Sequence, residues 1–166
     1  FHHDDMHGLW GWIGGHPMFR PVDHYQPDVR RLLLASLPSW LDLGFDGFRL
    51  DSAQSAPLDF WTDVGAVVHD HSPDAFTFGE VTLDWPRPAM VRGRLDGYCD
   101  FALEKALRHL AAGDQSADAT IAAAVAATAD EPGVIPVTFA ECHDDDRLSF
   151  VAGGDEDRLR AALGRL

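Results

Sequence analysis

The sequence predicts an α/β chain built from parallel βαβ units, on three observations. Segments with strand pattern alternate with segments of helical period. Acidic residues stand at the C-terminal ends of successive candidate strands. The Gly-rich phosphate fingerprints GxGxxG and GxxxxGK[ST] are both absent. The expected order is helix, strand, helix, strand, loop, strand, helix, helix, strand, helix. Strands separated by helices imply parallel pairing with right-handed crossovers. Order alone leaves open a doubly wound sheet or a (β/α) barrel.

Residues 1–26 are rich in Gly, His, Trp and Pro without a clear period. They read as a long loop region leading into the folded part, which runs over 27–166. QPDVRRLLLASLPSWLDLG reads as a helix. Asp28 lies in its first turn, Leu33, Leu37, Trp40 and Leu41 share one face, and Gly44 stops it. Pro38 is expected to disturb it. FDGFRLD reads as a strand and LDFWTDVGAVVHDH as a helix with Phe60, Val64 and Val67 on one face. AFTFGEV is a second strand, WPRPAMVRGRL a loop, and DGYCDF a third strand. ALEKALRHLAAG and the Ala-rich stretch 116–129 are helices. GVIPVTFAE is a fourth strand running into CHDDDR, and DEDRLRAALGRL opens a last helix.

The chain has 166 residues, enough for a domain with a core. Net charge is −14, which argues against nucleic acid as a partner, since phosphate binding needs clustered Lys and Arg. No apolar run reaches the roughly 18 residues that span a bilayer, so no membrane is expected. The 27 acids comprise 22 Asp and 5 Glu, and the 13 bases are 12 Arg plus Lys105. An Asp-rich, Lys-poor surface fits high salt, or else a coding bias toward Ala, Asp, Arg and Gly. Cys99 and Cys142 make no disulfide framework and read as free thiols.

The chemistry gathers where strands end. Arg49 and Asp51 lie two apart in an apolar stretch, so they project from one face of a strand. Buried charges are costly unless paired or used. The second strand ends in Glu80, and the fourth in Glu141, His143 and Asp144. In a parallel sheet these ends share one edge, so Asp51, Glu80 and Asp144 are expected to converge. Three carboxylates in one cleft suit glycoside hydrolysis, with an ionised nucleophile and a protonated acid, or a hard metal site of oxygen ligands.

GFDGFRLDSAQS, FTFGEV and FAECHDDDR resemble three conserved segments of the α-amylase family, glycoside hydrolase family 13. They stand in the family's order, with 29 residues from Asp51 to Glu80 and 64 from Glu80 to Asp144. GYCDFALEKALRHL resembles the segment after the acid/base strand. The resemblance implies a partial (β/α)8 TIM barrel, roughly its second half, with about four parallel strands and flanking helices. It implies an α-glucan or oligosaccharide substrate, cleaved or transferred with retention, and a remainder of the barrel in a parent chain. Asp51 matches the nucleophile and Glu80 the general acid/base. Asp144 matches the third carboxylate, which grips sugar hydroxyls. Arg49 matches the arginine that orients the nucleophile, and His143 the sugar-binding histidine.

Three departures stand out. Cys142 occupies the position of a common Asn. Gln54 and Ser55 replace a Lys-His pair whose His supports calcium, which argues against a calcium cofactor here. A DxxxNH-like segment has no match before residue 27. Other readings of the same residues are an inactive scaffold or binding relative, and a metal-dependent hydrolase. His2, His3, Asp4, Asp5 and His7 lack the i, i+4 spacing of a helical metal pair. Trp10, Trp12 and Trp85 are candidates for stacking on sugar rings or for core packing. Asp145 and Asp146 are read as a solvated face, with Arg147 paired to one of them.

Overall fold

The computed structural model describes residues 22–82, 91–114, 116–129 and 133–166. The chain divides into two compact units, Phe1–Tyr98 and Cys99–Leu166.

In the first unit, helix α1 (Pro27–Asp42) begins with Pro at its N-terminus and runs through Pro38. It ends where the Gly44 N–H donates to Leu41 O at 2.9 Å, with Gly44 at φ 93°. Strand β1 (Gly47–Leu50) follows, then a 3₁₀ turn (Ala53–Ser55), helix α2 (Leu58–His71), and strand β2 (Phe76–Gly79). Strand β3 (Gly97–Cys99) closes the unit with its first two residues. The pairing is parallel, from Gly47↔Phe76 to Leu50↔Gly79 between β1 and β2, and Phe78↔Gly97 and Gly79↔Tyr98 between β2 and β3.

The helices lie on this sheet for ordinary apolar reasons. Helix α2 buries Phe60, Trp61, Val64, Gly65 and Val68. Val68 is fully buried, so it, rather than the expected Val67, completes the face. Gly65 is there for space: a Cβ would sit 2.0 Å from the Arg94 carbonyl oxygen. Gly47 does the same for the strands, since a Cβ would lie 1.9 Å from Phe76 O. Arg30 of α1 ties α2 by ion pairs to Asp59 at 2.9 Å and Asp63 at 2.7 Å. Its guanidinium carbon lies 5.5 Å from the Phe60 ring centroid.

Helix α1 differs from expectation. Leu41 is its single buried residue, while Leu33 and Trp40 are exposed beside it. Strand β1 also differs: it reads as buried in the sequence but is half-exposed, because among the described residues it is paired only to β2.

The second unit opens as the Asp100 N–H donates to Val137 O at 2.9 Å, next to strand β4 (Ile135–Val137). Asp100 caps helix α3 (Phe101–Ala111), its carboxylate accepting from the Leu103 N–H at 3.1 Å. Helix α4 (Ala117–Ala129), the short α5 (Leu148–Val151) and α6 (Glu156–Leu163) complete it. Leu103, Ala106, Leu107, Ile121, Leu148 and Ala162 form its core. Strand β4 is shorter than the expected nine-residue run. Pro136 sits inside it and has no N–H to give a ladder.

Candidate active site

The first unit brings Arg49, Asp51 and Glu80 together. Leu50 is in register with Gly79, so Asp51 and Glu80 are the next residues on neighbouring strands. Neighbouring strands lie about 4.8 Å apart. Arg49, one residue before the end of β1, reaches both carboxylates. Its Nη1 donates to Asp51 Oδ1 at 2.6 Å, and its Nη2 pairs with Glu80 Oε1 at 2.9 Å. A planar guanidinium presents its terminal nitrogens in a fixed fork, which turns the two carboxylates toward one point. The expectation that Arg49 serves Asp51 is therefore extended: it serves both acids. Their settings differ. The Asp51 side chain is 75% exposed, and that of Glu80 only 13%.

Sequence reasoning missed Ser52. It has φ 44° and ψ 49°, in the left-handed region where a side chain is strained. That conformation aims its N–H at Glu80 Oε2, 2.9 Å away. The main chain repeats the tie, with Ala53 N–H to Glu80 O and Glu80 N–H to Leu50 O, both 2.8 Å. Trp61 anchors the turn from α2, its indole N–H donating to Ala53 O at 2.7 Å. A serine gives little warning of such a role, because the left-handed region is usually signalled by Gly, Asn or Asp.

The second unit holds His143 and Asp144 on the segment after β4. His143 Nε2 lies 3.4 Å from Asp144 Oδ1, and both side chains are mostly exposed. Glu141 closes this segment: its Oε1 accepts from the Leu148 N–H at 2.9 Å and its Oε2 from Arg147 Nη1 at 2.7 Å. These two donors, the Leu148 amide foremost, hold the Glu141 pKa below its ordinary value. Arg147 thus pairs with Glu141 rather than with Asp145 or Asp146, as the sequence suggested. The Cys142 thiol donates to Asp145 Oδ2 at 3.6 Å, and burial pushes its pKa up. Cys99 and Cys142 are both free.

Among the described residues, no group of three or more His, Cys, Asp or Glu is placed to hold a metal ion. Gln54 is buried, and Ser55 Oγ donates to Ser52 O at 2.6 Å. His2, His3, Asp4, Asp5, His7, Trp10, Trp12 and Trp85 lie outside the described residues. No described helix is long and apolar enough to cross a membrane.

No protein-family profile matches the chain. A cyclomaltodextrinase from Bacillus sp is 25% identical over 154 residues, covering 89% of this chain and 27% of that protein. A cyclomaltodextrin glucanotransferase from Niallia circulans is 28% identical over 149 residues, covering 86% of this chain and 20% of that protein. Among solved structures, an α-amylase from Anoxybacillus superposes with TM-score 0.77 at 24% identity, over 86% of this chain and 33% of that one. Over most of its length the chain is similar to part of these α-glucan-acting enzymes. Its fold is part of a (β/α)8 barrel, with four parallel strands and flanking helices among the described residues. The chain spans between a fifth and about a quarter of the length of these two curated relatives.

Proposed function

We propose that the parent protein is a retaining α-glucosidic enzyme, a glycoside hydrolase or transglycosylase, acting on α-glucans or oligosaccharides. Asp51 is the nucleophile and Glu80 the general acid/base. Asp144 grips the sugar hydroxyls beside the reacting carbon, Arg49 orients the carboxylates, and His143 binds sugar. The observation that carries this reading is the single guanidinium of Arg49 holding both Asp51 and Glu80. A retaining pair needs its carboxyl groups about 5–5.5 Å apart, and one fork bridging both is compatible with that spacing.

In this chemistry Glu80 gives its proton to the glycosidic oxygen while Asp51 attacks the anomeric carbon. The C–O bond breaks, the sugar alcohol leaves, and a glycosyl ester forms on Asp51. Glu80, now ionised, takes a proton from water or a sugar hydroxyl, whose oxygen displaces Asp51. Water gives hydrolysis and a sugar gives transfer. A cyclomaltodextrinase and a glucanotransferase among the relatives accord with either outcome.

The test is kinetic, on the full-length protein. Asp51→Asn should remove nearly all turnover of maltooligosaccharides, since an amide cannot form the ester. Glu80→Gln should also be severe, but less so on α-glucosides whose leaving group needs no proton. Near-normal turnover by Asp51→Asn would remove the nucleophile assignment.

A further inference from the structure

The segment from Glu141 to Arg147 is suspended between two buried anchors. Ala140 before it and Leu148 after it both sit in the core formed with α3. Glu141 closes its base through Leu148 and Arg147, as described above. Within it, Asp144, Asp145 and Asp146 are all exposed and three like charges stand in a row, an arrangement that favours spreading apart. A contact from α3 opposes that. Arg108 of α3 donates from Nη1 to the Asp146 carbonyl oxygen at 2.7 Å.

Arg108 is itself held. Its Nε lies 3.5 Å from Oε1 of Glu104, one turn earlier on α3, where the glutamate side chain is 4% exposed and the arginine 18%. Among the described residues, Glu104 Oε1 is buried without a hydrogen-bond partner. A buried carboxyl so placed is costly, and burial raises its pKa, with Arg108 opposing and Asp145 adding to the rise. Leu103, Ala106 and Leu107 fill the core beside it. The Glu104 carboxylate faces the Arg108 guanidinium.

We propose that Arg108, braced by Glu104, is a positioning residue that holds the Asp146 carbonyl and thereby sets the place of His143 and Asp144. The guanidinium is planar and carries several donors, so it spans from helix to loop in one orientation. The functional consequence rests on the role of Asp144 argued above; the structural one does not.

The experiment uses the full-length protein with Arg108→Gln, Arg108→Lys and the double variant Glu104→Gln with Arg108→Gln. The double variant removes the carboxylate that a lone Arg108→Gln leaves buried and unpaired. The first readout is hydrogen exchange. Amides of 143–147 should exchange about tenfold faster or more in Arg108→Gln and in the double variant, with β2 amides unchanged. The second is kinetics on maltooligosaccharides. The same variants should lose about tenfold or more in kcat with KM nearly constant, because a misplaced group is felt most in the transition state. Arg108→Lys should recover part of both effects. Unchanged exchange at 143–147 in the double variant overturns the inference whatever the activity. Faster exchange with full kcat also overturns it. If the wild-type protein has no action on α-glucosides, the proposed function falls, and faster exchange at 143–147 still supports the positioning role.

Discussion

Arg49 answers the question its own position raises. An arginine two residues before an aspartate in an apolar run needs a partner, and it pairs with both Asp51 and Glu80. The fork geometry matters more than the charge. In the full-length protein, Arg49→Lys keeps the charge but replaces two directed donors with one ammonium, which cannot hold both acids in one plane. We expect kcat to fall on the order of 10²-fold, with folding midpoint changed little, because misplacement of reacting groups by about 1 Å costs that much. A variant with wild-type kcat would show that the fork is dispensable. Ser52 belongs to the same argument. Its left-handed backbone is strain held in place by the Glu80 carboxylate and the Trp61 anchor, and strain of this kind collects at working sites.

The α2 helix sets the level of the strands because it can come close. Gly65 allows its backbone to approach Arg94, and the Cβ of any other residue would meet a main-chain oxygen rather than a pliable side chain. Gly65→Ala should therefore destabilise the full-length protein by about 1–3 kcal/mol, despite alanine's better helix propensity. The urea midpoint measures it. A rise in midpoint would mean that the contact with Arg94 relaxes without cost. Helix α1 shows the opposite condition. Leu32 within it and Leu43 just after it are 72% and 73% exposed, apolar surface that the described residues do not cover.

Each of the two units carries apolar surface of this kind, with Phe45 on the first and Ile135 and Phe150 on the second. A (β/α)8 barrel typically takes about 250 residues and eight strands, and four are described here. Residues 1–166 expressed alone are therefore expected to be oligomeric or poorly soluble, and inactive on maltooligosaccharides. Reducing-sugar release beside an Asp51→Asn control checks this; a soluble monomer whose activity vanishes only in the control would refute it. The net charge of −14 bears on the full-length protein too, if its remainder is similarly acidic. Like charges repel at low ionic strength and are screened over about 10 Å at 0.1 M salt. Its melting temperature should then rise between low and molar salt, and a flat response would favour coding bias as the origin of the composition.

Much of this protein is legible without coordinates. The apolar period marked α2 at Leu58–His71, and the ordered segments around Asp51, Glu80 and Asp144 pointed to the α-amylase family, because local period and short motifs are properties of the chain itself. Three things were not legible. Val68 rather than Val67 faces the core, since helix rotation is decided by what the helix packs on. Arg147 chose Glu141 over its nearer acids because the fold of the loop brings its two ends together. The Arg108 contact to Asp146 joins residues 38 apart, and no periodicity encodes a hydrogen bond to a main-chain oxygen. Sequence determines which elements form and which side chains have the chemistry. Tertiary structure decides which donor meets which acceptor, because that pairing depends on distances between segments that the chain order leaves free.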